Sequence, residues 1–230
     1  GTVKPYVFNV IGIELYAANT GSPGLEACVR VNNCVGIYFT SCHFIGANYG
    51  VLFNPTGTEP DSTLASVKWI GCYFDQMYQS HVSYTGTVLN SRYRNHIFSG
   101  CQFRDSRGSS GSLNFAAEVE RVTISGCQIR DNVGSGIWTS TAACKDISIT
   151  GTTFINNNIQ ASASAGDIVW RMSGLTVSGC NFIGGNAAGW ALGFLTGSQD
   201  SSESGNNYTH STAGTLVVEN GTNNWHDGTQ

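Results

Sequence analysis

The sequence predicts an all-β chain wound as a right-handed parallel β-helix, a solenoid of about seven to eight coils. Three observations carry that expectation. A short phrase recurs as "WIGCYFDQ", "FSGCQFRD", "VTISGCQIRD", "ITGTTFIN" and "VSGCNFIG". Apolar residues alternate with polar or small ones on both sides of it, which is the period of a half-buried strand. Polar, Gly-rich corners then follow at fixed offsets. Self-similarity at this period settles the architecture before any motif is weighed.

The residue after the recurrent Gly or Ser serves as an anchor. Anchors fall at Ile13, Cys42, Cys72, Cys101, Cys127, Thr152 and Cys180, spaced by 25 to 30 residues. The first strand of each coil is marked by apolar residues five and three before the anchor, such as Val67 and Trp69 or Leu175 and Val177. The second is marked two after it, by Leu15, Phe44, Phe74, Phe103, Ile129, Phe154 and Phe182. Only His96 is polar among these positions, and a core histidine satisfied by a backbone carbonyl is the simpler account of it over a catalytic one. The inward parity slips by one residue across Gly71, Gly100, Gly126 and their equivalents, so a corner or bulge sits there, where Gly permits the backbone angles.

After the second strand come turn residues, as in "RDNVGSG" and "INNN". A third apolar run closes several coils: "YGVLF", "SGIWTS", "DIVWRM", "AGWALG". Coils stacked at about 4.8 Å set like residues above like. Cys then fits a narrow interior file, with Thr152 as a small substitute. Trp69 belongs to the inward file, whereas Trp170 and Trp190 fit either side. The leucine-rich and WD40 repeats are excluded by period and signature, and no stretch has helical periodicity.

Coils are expected over residues 1–195. The stretch 196–214, "TGSQDSSESGNNYTHSTAG", is polar and without period, and reads as an excursion loop. Residues 215–230 read as a last coil, with Thr222 as a degraded anchor, or as the start of a further region of a larger protein. A shorter excursion, "NPTGTEPDST", precedes the Cys72 coil.

Composition narrows the partners. Charged residues are 11% of the 230, Gly numbers 29, and net charge is −4 with no basic block, so a nucleic-acid footprint is absent. No apolar run approaches the roughly 20 residues of a membrane helix, so no membrane insertion is expected. Eight cysteines in 230 residues are too dilute for a disulfide scaffold, and most share one repeat position, so they are expected reduced and buried. A Cys28–Cys34 bridge is the alternative for that pair. No CxxC or HExxH occurs, and no metal or cofactor is expected.

The phrase "VTISGCQIRDNVGSGIW" followed by "DISITGTTFINNN" resembles the pectate-lyase-like superfamily of parallel β-helices, over roughly residues 6–190. The low charge, the Ser/Asn/Gly richness and the irregular coil lengths look most like bacteriophage tailspikes and tail appendages. That resemblance implies a homotrimeric protein of the virion tail, acting outside the cell on a bacterial surface polysaccharide. The catalytic motifs of the cellular relatives are missing: Trp69 and Ile70 are followed by Gly71 and Cys72 rather than Asp-His, and Arg-x-Pro-Arg, Gly-His-Gly and Asp-Pro-His do not occur. Tailspikes share no such motif, so hydrolysis of the polysaccharide stays open, beside a receptor-binding or spacer module without catalysis and an extracellular lyase.

Stacking places surface residues side by side. Asp105 and Asp131, four after their anchors, fall one coil apart, about 5 Å in backbone terms. That is the carboxyl spacing of a retaining glycosidase, and crowding of like charges raises one pKa. Equally, both can be Asx residues that turn the corner, as Asn156 at the same place suggests. Glu118 and Glu120 in "FAAEVERV" sit opposite Val119, toward solvent, as a second acid and base or as a solvated face. Asp146 and Asp167 open strands and read as turn residues. For substrate binding, Trp138 follows inward Ile137 and points out, with Tyr73, Tyr78 and Tyr84 expected near it. Arg104 and Arg130, beside Asp75, offer forked donors to an anionic saccharide. Outward Ile45, Ile155 and Ile183 favour a subunit contact.

Overall fold

The computed structural model describes residues 7–17, 26–31, 36–53, 64–85, 93–140, 144–160, 165–185, 189–209 and 217–227. Every strand pair within them is parallel, and each coil contributes one strand to each of three sheets, save that one coil adds the short Leu64–Ala65 to the first. The first sheet runs from Val7–Ile11 through Val119–Ser125 to Trp225–His226. The second runs from Glu14–Tyr16 through Gln128–Arg130 to Asn207–Thr209. The third runs from Ala27–Val31 through Ile137–Thr139 to Val217–Glu219. Eight coils are complete, a ninth begins, and the described residues contain no helix.

The anchors stack as expected. Trp69 lies 4.3 Å from Phe98 with rings nearly parallel, and Phe74 lies 4.5 Å from Phe44 and 4.9 Å from Phe103. A third aromatic file, Phe53–Tyr84–Phe115, runs up the third sheet at 4.8 and 5.2 Å. Offset parallel rings at these spacings combine apolar burial with favourable ring electrostatics. Cys42, Cys72, Cys101, Cys127 and Cys180 are buried free thiols, and Thr152 fills their file with its hydroxyl on the Thr150 carbonyl. Cys28 is also free, its thiol 3.3 Å from the Leu15 carbonyl, so it forms no bridge; Cys34 lies outside the described residues.

The bend between first and second sheets is two residues in every coil, and its first residue is left-handed: Gly71 has φ 58°, Gly100 62°, and Ser41 takes the same conformation at 51°. A Cβ at Gly100 or Gly126 would meet nothing within 4 Å. Glycine is there for its φ, and space is not the constraint.

One expectation fails at the C-terminal end. Ser202–Ser204 and Asn207–Thr209, assigned to the loop, are strands that pair with Thr176–Ser178 and Asn181–Ile183. "SSESGNNYT" is the repeat in polar dress: Glu203 sits above Val177 and Tyr208 above Phe182. Glu203 is 1% exposed and accepts from Asn206 Nδ2 at 2.7 Å and Tyr208 Oη at 3.1 Å, so three polar substitutions satisfy one another. Thr222 is no anchor. His226 stands above Glu203, which puts the ninth anchor beyond the described residues.

Candidate functional site

The outward face of the second sheet carries most of the charged candidates. Asp75, Arg104 and Arg130 follow one another in register. Arg104 Nε and Nη2 donate to the two oxygens of Asp75 at 3.1 and 2.7 Å, a forked pair that covers the carboxylate and leaves it 6% exposed. The hydrogen bond to Asp75 also raises the Arg104 pKa. The guanidinium lies 5.4 Å over the Tyr73 ring, which meets His43 edge-on. Arg130 Nη1 is 3.5 Å from Asp131. Both forked donors expected to face a ligand are therefore matched within the chain.

Asp105 and Asp131 do fall on neighbouring coils, and both are partly exposed. Their backbones are left-handed, φ 58° and 55°. So are those of Gln76 and Asn156 in the same file, and Gly46 and Gly184 continue it at 77° and 68°. A file that accepts Gly, Gln, Asp and Asn is selected by backbone conformation. One position further on, a buried amide ladder ties the same corner: Asn132 Nδ2 donates to Asn157 Oδ1 at 2.7 Å, and Asn157 Nδ2 to Asp167 Oδ1 at 2.7 Å.

Three carboxyl expectations need correction. Glu120 does not face open solvent: it is 7% exposed, between Arg94 Nε at 3.1 Å and Lys145 Nζ at 3.0 Å from the coils below and above. Glu118 is half-buried on the preceding turn. Asp167 opens a strand as expected but is no turn residue; it is 2% exposed inside Gly166–Trp170, and burial, opposed by the Asn157 hydrogen bond, pushes its pKa up to about 7. His96 is buried as expected, with the Tyr84 hydroxyl 2.9 Å from its Nδ1. A second buried histidine, His81, carries no signal in the repeat pattern. Its Nε2 lies 2.8 Å from the Arg104 carbonyl, which can only accept, so Nε2 carries the proton and Nδ1 accepts from Ser112 Oγ at 2.6 Å. Burial lowers its pKa to about 4.

Trp138 does not join the second-sheet residues. It lies on the outward face of the third sheet, paired with Asn114 below and Val169 above. Tyr84 points into the core and is fully buried, while Tyr78 is exposed at a corner under Arg107. Beside Trp138 instead is Arg171, whose guanidinium lies 4.5 Å over the indole. Trp170 is core, but Trp190 lies across the outward face, where a Cβ on Gly193 would collide with its Nε1. The outward file reads Leu52, Ser83, Asn114, Trp138, Val169, Gly193, and Leu52, Ser83 and Val169 are buried although they face out. Connections before and after the third sheet are long and variable, as at 105–112, 156–165 and 195–201, whereas the first and second sheets share only the two-residue bend. Connections of variable length thus border the third sheet on both sides, and part of its outward face is covered.

Geometry and repeat together define a parallel β-solenoid of three sheets. The family described as "right handed beta helix region" matches residues 27–229, and the chain belongs to it. No curated protein and no solved structure matches the chain.

Proposed function

We propose that the chain is a polysaccharide-binding domain of a tailspike-type phage appendage, holding a bacterial surface glycan against the outward face of the third sheet. The observation that carries this reading is Trp138, a half-buried indole on the outward face of the third sheet, with Trp190 two coils further along. The Arg171 guanidinium lies over one face of that indole, so the pair sets polar donors beside an apolar ring edge, the mixed surface that a pyranose presents. Strands of a solenoid hold both at fixed spacing. The exposed apolar side chains Ile70 and Ile183, on the outward faces of the first and second sheets, fit burial between the subunits of a homotrimer. Ile45 and Ile155 are half-buried already and contribute less to such a contact.

Cleavage is a second reading, favoured by the adjacency of Asp105 and Asp131. It is the weaker one, because their conformation is shared with Gly46 and Gly184. The test is incubation of the purified chain with capsular polysaccharide and lipopolysaccharide of candidate hosts. Binding that Trp138→Ala lowers at least tenfold, without new reducing ends, supports the binding module. New reducing ends that vanish in Asp105→Asn or Asp131→Asn move the conclusion to hydrolysis, and ultraviolet-absorbing products move it to a lyase. Retention of full affinity in Trp138→Ala rules out the third sheet as the glycan face.

A further inference from the structure

We propose that Arg171 is a seat for the carboxylate of an acidic sugar unit, so that the glycan held on the third sheet is a polyanion. The inference rests on the polysaccharide-binding reading and specifies its chemistry.

Most of the arginines that look available in the sequence are committed. Arg104 is forked onto Asp75, Arg130 lies beside Asp131, Arg94 and Lys145 share Glu120, and Arg107 is 3.8 Å from Asp105. Arg171 differs. Among the described residues no carboxylate lies within salt-bridge distance of it, and its only side-chain hydrogen bond runs from Nη1 to the Thr139 carbonyl at 3.2 Å. The rest of its N–H fork has no acceptor among them. Burial lowers its pKa, as for a cation that has lost water without gaining an anion.

The group is also held in place. Thr139 Oγ1 donates to the Val169 carbonyl at 3.1 Å and accepts from the Arg171 backbone N–H at 3.0 Å, so the residue that fixes the guanidinium is itself fixed from both sides. The Trp138 ring below supports its plane. A guanidinium held this way meets a carboxylate through two parallel hydrogen bonds, and a carboxylate carried on a pyranose brings a sugar ring beside the indole. A nucleic-acid backbone is a poor match, since net charge is −4 and no further unpaired cation follows Arg171 in the outward file of the third sheet among the described residues.

The test uses the whole chain with hyaluronate, alginate, polysialate and polygalacturonate, each beside its carboxyl-reduced neutral counterpart, by affinity electrophoresis. At least one acidic polymer is expected to bind, and its reduced form to bind at least tenfold less. Arg171→Met, which keeps the aliphatic stem on Trp138, is expected to lower affinity for the acidic form by about 10- to 100-fold and to leave the residual binding of the reduced form unchanged. Arg171→Lys, which keeps charge without the fork, should fall between, and it carries the test if the Met variant does not fold. Equal binding of the acidic and reduced polymers, or unchanged affinity in both variants, overturns the inference and leaves the polysaccharide reading standing. Binding of no polymer in either form removes both.

Discussion

Replacing Asp105 and Asp131 by Gly separates a turn from a catalytic pair. Their φ values of 58° and 55° lie in the left-handed region, where an ordinary L-residue is strained by about 1–2 kcal/mol, and Asp by less because its side chain bonds locally. Glycine removes that strain but widens the unfolded ensemble by about 0.5–1 kcal/mol. The interactions that disappear with the carboxylate are weak: Asp131 has a 3.5 Å approach from Arg130 and another from Asn156, both at the surface. Asp→Gly should therefore change stability by less than about 1 kcal/mol at either site, and Asp→Val, β-branched and without a local acceptor, should cost about 1–3 kcal/mol. For a chain of this size each kcal/mol moves the melting point by about 2–4 °C. Thermal unfolding followed by far-ultraviolet circular dichroism measures the difference, and glycan binding is read on the same samples. A Val variant as stable as the parent, or a Gly variant that melts as early as Val, would refute selection of this file by backbone conformation.

Further outcomes follow from the same geometry. Phe103→Ala removes a fully buried ring stacked on Phe74 and edge-on to Phe98, and should cost about 3–5 kcal/mol in chemical denaturation. Glu203→Val alone should destabilise, because Asn206 and the Tyr208 hydroxyl lose their shared acceptor; Glu203→Val with Asn206→Cys and Tyr208→Phe should recover that loss and raise the melting point above the parent's. His81 and Asp167 should act oppositely on stability against pH. The unfolded state takes up a proton on histidine below its ordinary pKa of 6.5 and the folded state only near 4, so the His81 contribution is complete above pH 6.5 and is lost as pH falls toward 4. Asp167 holds its proton to about pH 7 when folded but only to 3.8 when unfolded, so its contribution is complete at low pH and is lost as pH rises through 4 to 7. Asp167→Asn should leave a stability profile that rises from pH 4 to 6.5, and a flat profile in that variant would count against the buried neutral His81.

What is legible in the sequence depends on distance from the anchor. Around Gly100 and Cys101 the inward residues recur at fixed offsets, so the first two sheets and the stacking of Phe74 on Phe103 can be read directly. The third sheet cannot be phased in the same way, because the connection before it varies in length; pattern alone therefore groups Trp138 with Tyr73, although the two stand on different faces. Glu120 misleads for a different reason. Alternation gives its side of the strand correctly, but burial there comes from Arg94 and Lys145 on other coils. The eighth coil is hidden because Glu203, Asn206 and Tyr208 keep the register while abandoning the hydrophobicity by which a register is usually recognised. Gly46 and Gly184 are the available clue to the role of Asp105 and Asp131, since they occupy the same offset from Cys42 and Cys180.

The division between a two-residue bend on one side and variable connections on the other has an evolutionary reading. Each coil touches only its neighbours, so a segment inserted at the border of the third sheet alters local shape without disturbing the spacing of the rings beneath. New specificities can then arise by editing the borders alone, while the aromatic columns inside remain under unchanged selection.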